Sequence, residues 1–275
     1  MVAQALSGDV PEYLARLRAE DAPDAGPGAP IRAALRGDLH AHSDWSDGGS
    51  PIETMARHAA ELGHEYIALT DHSPNLSVAK GLTAERLRRQ LEVVARLNEE
   101  LAPFRILTGI EVDILEDGAL DQEEDLLAEL DVVVASVHSK LRMPAQPMTD
   151  RMVAALANPH TDILGHCTGR MVMGRGRPES QFDSQLVFGA AAHFDKAVEI
   201  NCRPERLDPP MRLLKEVVDG GCKISIDSDA HAPGQLEWQP YGCARAAEAE
   251  VPLNRIVNTW EREQLLDWTA SHQAA

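Results

Sequence analysis

Six histidines in this 275-residue chain share one kind of position: each closes, or closely follows, a short apolar run. The stretch RGDLHAHSDWSDGGSP (36–51) sets His40 and His42 two apart, so both imidazoles share one face of a strand, and Asp47 follows. YIALTD leads to His72, RILTGIEV carries Glu111, DVVVASVH ends at His138, and DILGH ends at His166. KISIDSD brings Asp229, with His231 two residues on. Imidazoles and carboxylates without thiolates suit Mn, Zn or Fe. Nine such donors exceed what one four-coordinate ion takes, so the set implies two or three divalent ions, with Glu111 and Asp229 as the bridging carboxylates. Gly48 and Gly49 let the backbone turn tightly beside them. The other five histidines, His58, His64, His160, His193 and His272, fall at helix flanks, in a turn and in the tail, and read as structural.

Donors so far apart in sequence meet only if a regular scaffold gathers them. Seven apolar runs, 34–40, 66–71, 105–112, 131–138, 162–166, 197–201 and 223–229, alternate with helix-length segments. That alternation predicts an α/β fold with parallel strands and right-handed crossovers, as a barrel or an open sheet. In a barrel all strand C-terminal ends open on one face, and the donors sit at those ends. Ser50, Pro51 and Glu53 predict a capped helix start, with Gly63 past its end. Helices are also predicted over 83–101, 121–130 and 209–221, the last capped by Asp208. Residues 1–34 read as an extension, with PEYLARLRAE as a short helix and DAPDAGPGAP as a linker; residues 35–275 read as the barrel domain.

Composition narrows the function. Lys plus Arg number 26 and Asp plus Glu 44, a net charge of −18, which repels polyanions unless metals or a local patch reverse it. Aromatic residues make up 4%, too few for base-stacking platforms. Cys167, Cys202, Cys222 and Cys243 show no C-x-x-C spacing and read as free thiols. The start lacks the pattern of a signal peptide and no apolar run is long enough to span a membrane, so the expectation is a cytoplasmic protein.

Together, DLHAHSDWSDG, ALTDHS, GIEVDIL, VVASVHS, DILGHCTGR and SIDSDAH resemble the PHP (polymerase and histidinol phosphatase) family, from about Gly37 to about His231, with APGQLEW extending the match. The likeness is closest to the PHP domain that follows the polymerase in bacterial family X DNA polymerases. With about 34 residues ahead of the barrel, the expectation is a PHP module without that polymerase. The resemblance implies a distorted (β/α)7 barrel with a trinuclear metal site at the C-terminal face of the strands. It also implies metal-dependent phosphoester hydrolysis, with His40, His42, Asp47, His72, Glu111, His138, His166, Asp229 and His231 as ligands. Asp229 then has a catalytic role, beside phosphate donors Arg170, Lys140 and Arg203, which follow strand ends, with Arg206 near them. Asp71 would orient the adjacent His72 as a hydrogen-bonded carboxylate. The acidic chain favours a small phosphomonoester, such as histidinol phosphate, a nucleotide or a sugar phosphate. The alternative is 3′–5′ exonuclease or 3′-end processing of DNA. A non-catalytic partner module fits poorly with a complete donor set. Oligomeric state is not encoded in any motif.

Overall fold

The computed structural model describes residues 24–273. Seven strands lie in chain order in one parallel sheet: β1 (Gly37–Ala41), β2 (Tyr66–Leu69), β3 (Arg105–Asp113), β4 (Val132–Ser136), β5 (Ile163–Leu164), β6 (Ala197–Asn201) and β7 (Lys223–Asp227). Each falls on one of the seven apolar runs. The edges of the sheet approach each other: Ala41 bridges Ala230 in parallel, and the His42 amide donates to the Ala230 carbonyl at 2.8 Å. The outcome is a nearly closed α/β barrel whose strand C-terminal ends open on one face.

The helices are α1 (Ala29–Ala34), α2 (Ile52–Glu61), α3 (Ala84–Glu100), α4 (Glu124–Leu127), α5 (Ala145–Ala157), α6 (Ser184–His193), α7 (Met211–Asp219), α8 (Gln239–Glu248) and α9 (Arg262–Gln273). α3 matches its predicted span and starts as periodicity and capping require, with the Thr83 side chain accepting from the Arg86 amide. It buries Leu87, Gln90, Val94 and Asn98 on one face, at helical spacing. Asn98 then bonds both the amide and the carbonyl of Ile106, which fixes α3 against β3.

Several local expectations are corrected. Ser50 does not cap α2: its carbonyl accepts from Asp44, Pro51 takes the cap position, and Glu53 pairs with Arg57. Pro51 has no N–H and sits in an extended conformation, so it ends the preceding loop rather than opening the helix. Asp208 likewise caps nothing; it accepts from the amide and hydroxyl of Thr168 while Pro210 precedes α7. The helix expected over 121–130 is only the short α4. Part of the linker is also structured. Gly26–Gly28 forms a 3₁₀ turn, α1 follows, and both pack on α8, with Ala25, Ile31 and Leu35 in the core. The helix expected at PEYLARLRAE lies outside the described residues.

Inside the barrel, two-residue alternation sorts side chains by height. Leu39, Ala68, Leu107, Val134, Ile163 and Ala197 cluster with Leu265 and Trp268 of α9. Trp268 Nε1 donates to the carbonyl of Asp195, just ahead of β6, so α9 covers the end where the strands begin. Burial of Leu265 and Trp268 contributes about 1.5–3 kcal/mol each. Farther along the same inward faces stand Glu111, Ser136, Glu199 and Asp227, all buried. The barrel is therefore apolar where the strands start and polar where they end. All four cysteines are buried and free. Among the described residues no helix is long and apolar enough to cross a membrane.

Candidate metal centre

The loop after β1 turns tightly. The Gly48 amide donates to the Ser43 carbonyl, and a Cβ on Gly48 would lie 2.6 Å from that same oxygen, so the close approach excludes any side chain. The Gly49 amide donates to the His231 carbonyl at 2.7 Å and ties this loop to the one after β7. Asp71 acts here, not on His72 as expected. Its buried carboxylate accepts from the amide and hydroxyl of Ser43, the hydroxyl of Ser46 and the amide of Gln90 on α3. Burial raises the Asp71 carboxyl, and these donors pull it back only in part. Asp71 thus holds the segment that joins His42 to Asp47.

The predicted donors converge. Glu111 Oε1 lies 2.8 Å from His166 Nε2 and 3.1 Å from His138 Nε2. Its Oε2 lies 2.9 Å from His72 Nδ1, 3.4 Å from His40 Nε2 and 3.6 Å from His42 Nε2. Asp229 Oδ1 is 3.4 Å from His42 Nε2, and Asp47 Oδ1 is 3.4 Å from His72 Nε2 and 3.3 Å from His231 Nε2. Donor atoms fall into three groups, each within 4.8 Å: His42–Asp47–His72–His231, His40–His42–Asp229 and His72–Glu111–His138. His166 joins through Glu111. Asp229 itself has φ +51, the left-handed region that costs a non-glycine residue energy and recurs at functional sites.

Electrostatics show how dependent these groups are on one another. Burial would raise the Glu111 carboxyl, but His138, His40 and His72 outweigh it and hold it well below the usual range. Burial also opposes ionisation of Asp229, and Arg203 with His42 reverses the sign. Burial depresses the His42 imidazole, and His231 and His72 push it down further. His72 instead rises to about 10, because Glu111 and Asp47 overcome its burial. Two oxygens of one carboxylate cannot serve five imidazoles. His40 Nε2, both nitrogens of His42 and His138, and one each of His72 and His166 are buried without a well-aligned hydrogen bond, although His72 Nδ1 and His138 Nε2 lie 2.9 and 3.1 Å from Glu111. An unsatisfied buried polar atom costs about 1–3 kcal/mol. So many at one point fit a site whose remaining lone pairs are taken up by divalent cations.

Two supporting acids escaped the sequence reading. Glu199 on β6 accepts from His40 Nδ1 and from the His166 amide, each at 2.6 Å. Asp113 on β3 accepts from the His138 amide at 3.0 Å, with Oδ1 3.4 Å from His138 Nδ1. Such carboxylates set the tautomer and angle of a ligating ring. The available signal was an acid at an inward position of an otherwise apolar strand, as in AVEIN and GIEVD. Asp227, by contrast, serves the barrel wall, accepting from the Leu39 amide and from Asn258.

The centre opens into a cavity of about 520 Å³ lined by Asp47, His72, Glu111, His138, Asp229 and His231 together with Arg203, Arg206 and Gln235. Arg203 Nη1 reaches Asp229 Oδ1 at 3.4 Å and His231 Nδ1 at 3.2 Å, beside the candidate donors. Arg206 Nε lies 3.2 Å from Asp229 Oδ2, and its buried Nη1 has no hydrogen-bond partner among the described residues. Arg170 and Lys140 do not line this cavity. Arg170 donates to the carbonyls of Arg206 and Leu207 and pairs with Glu179, so its guanidinium is used up bracing the 203–207 loop. Lys140 is exposed beside Glu116 at 3.6 Å.

A nearly closed parallel barrel with a histidine–carboxylate centre at its strand ends defines a class of metal-dependent domain. Residues 38–221 match the PHP domain family model, and the chain belongs to that family. The DNA polymerase/3′-5′ exonuclease PolX of Bacillus subtilis is 40% identical over 224 residues, which covers 82% of this chain and 39% of that protein. The chain therefore spans well under half of that relative's length. A probable phosphatase of Thermoanaerobacter sp. (strain X514) is 33% identical over 205 residues, 70% of this chain and 78% of that protein. Among solved structures, histidinol phosphate phosphatase of Lactococcus lactis, complexed with Zn, L-histidinol and phosphate, shares the fold with a TM-score of 0.53 at 20% identity, over 78% of this chain and 94% of the other.

Proposed function

We propose that this chain is a metal-dependent hydrolase of a small phosphomonoester, in the class of histidinol phosphate, a nucleotide or a sugar phosphate. The observation that carries the reading is Glu111 facing five imidazoles with unsatisfied nitrogens, at the floor of a cavity walled by Arg203 and Arg206. His40, His42, Asp47, His72, Glu111, His138, His166, Asp229 and His231 would hold two or three divalent ions (Mn, Zn or Fe), with Glu111 and Asp229 shared between them. Bound there, the cations would acidify a water molecule and neutralise charge building on the phosphoryl oxygens. Arg203 and Arg206 present guanidinium donors to the non-bridging oxygens, in a geometry suited to phosphate. Glu199 and Asp113 keep the rings of His40 and His138 turned inward. Asp71 keeps Asp47 at the rim through the Ser43–Ser46 segment.

The relative at 40% identity keeps a second reading in view, removal of nucleotides from a DNA 3′ end. A net charge of −18 opposes it, since binding a strand depends on neutralising phosphates with basic residues. The deciding experiment strips the protein of metal, reloads it with Mn, and compares phosphate release from a panel of monoesters with nucleotide release from single-stranded DNA. His42→Ala serves as the control against a contaminant. Fast release from a monoester with intact DNA is the expected result. Stepwise shortening of DNA with slow monoesters would replace this reading with the nuclease one.

A further inference from the structure

Among the described residues five large apolar side chains are exposed, and three of them, Val78, Val172 and Met173, lie on two loops at the mouth of the metal cavity. Val78 is 84% exposed on the loop between β2 and α3. Leu76, Val78 and Ala79 line the cavity from this loop, and Met171 lines it from the loop between β5 and α6. Both loops are braced. The Leu82 amide donates to the His72 carbonyl at 2.7 Å, and a Cβ on Gly81 would lie 1.8 Å from the Ser73 carbonyl. Met171 and Arg177 exchange amide bonds at 2.9 and 2.8 Å, and the Val172 amide donates to Glu205 at 2.7 Å.

The polar side of the cavity is equally selective. Its carboxylates are Asp47, Glu111 and Asp229, all within the donor cluster, and outside that cluster Gln235 is its one uncharged polar side chain. An ammonium on the leaving alcohol would meet Arg203 and Arg206 and no acid outside the cluster. With Arg203 and Arg206 on the phosphate, a polyol would have one amide for its hydroxyls and would bury them against Leu76 and Met171, where unpaired hydroxyls are costly. We infer that the leaving alcohol of the substrate is uncharged and presents an apolar face to Leu76, Val78 and Met171. The chain then prefers such phosphomonoesters over ammonium-bearing or polyol phosphates. This rests on the phosphomonoesterase reading and departs from two of the substrates named there, since histidinol phosphate bears an ammonium and sugar phosphates are polyols.

The test uses the Mn-loaded full chain and three esters of primary alcohols: 3-phenylpropyl phosphate, 3-aminopropyl phosphate and glycerol 3-phosphate. The expected kcat/KM for the phenylpropyl ester exceeds both others by about tenfold or more, the discrimination a small apolar contact supplies. Val78→Asp, at an exposed position that the fold does not depend on, should reduce the phenylpropyl to aminopropyl ratio by about tenfold. Equal rates on all three esters, or a ratio that ignores Val78→Asp, would overturn the inference and leave the phosphomonoesterase reading standing. No release from any ester would remove both. If Met173→Asp splits a dimer while the ester ratio stays fixed, the apolar rim faces a second copy of the chain and the inference falls.

Discussion

His272, at the end of the barrel where the strands begin, has Nδ1 2.7 Å from Asp162 and Nε2 3.2 Å from the Asp195 carbonyl. Both nitrogens have an oxygen within hydrogen-bond distance, and the residue anchors α9 over the apolar interior. At the opposite end His40, His42, His72, His138 and His166 crowd one glutamate and retain buried nitrogens without a well-aligned hydrogen bond. Both sets are buried, so burial does not separate a structural histidine from a candidate ligand. A missing partner does not separate them by itself either. His64, also near a strand start, has neither nitrogen in a well-aligned hydrogen bond, with Gln239 beside it, and burial with Arg32 nearby lowers its imidazole to about 4. What marks the metal end is the coincidence of unsatisfied imidazoles with carboxylates in one cluster, which His64 lacks. A neutral buried ring is tolerable alone; several around one acid suit a bound cation.

The comparison breaks most visibly at Glu111. Glu111→Gln should lower phosphate release at least about a thousandfold and reduce the metal retained per chain, both read on the same preparation by activity and elemental analysis. Full activity with unchanged metal content would mean that the five-histidine cluster is not the working centre. A middle-sized effect belongs to Arg170. Arg170→Ala should raise KM for a phosphomonoester by about tenfold, because a looser 203–207 loop misplaces Arg206, while metal content stays the same. If Arg170→Lys restored KM in full, a point charge would account for the residue and its fork-shaped bracing of two carbonyls would be excluded. The smallest effect on catalysis is expected at the other end. His272→Ala should cost about 1–3 kcal/mol of stability by leaving Asp162 short of a partner, with activity per folded molecule unchanged. Denaturant unfolding and assays at low temperature separate the two, and a loss of activity without a loss of stability would refute the division of labour between the ends.

The seven strands were legible because each is a short apolar run bounded by turn residues, and the donors were legible because they sit at the ends of those runs. Asp71, Arg170 and Lys140 were assigned to the chemistry from adjacency, and adjacency was a poor guide. The Asp71 carboxylate points to Ser43, Ser46 and Gln90, and Arg170 turns away from the cavity toward two carbonyls. Ser50 and Asp208 have the right types for helix caps, yet the Ser50 carbonyl accepts from Asp44 in its own loop and the Asp208 carboxylate accepts from Thr168 across the fold. His272, read as a tail residue, is buried against Asp162, 110 positions away.

Sequence by itself determined the α/β class, the strand positions, the set of candidate ligands and the family. These follow from two-residue alternation, from the strand–helix rhythm and from residue types that few other chemistries use. Only the tertiary structure decided which acids hold the histidine rings, which arginines face the cavity and what lines its rim. Glu199 reaches His40 across 159 positions, and Leu76 and Met171 line one cavity only because the loops after β2 and β5 border the same mouth. Side-chain direction in a loop depends on partners brought by other elements, and no local pattern records which partners those will be.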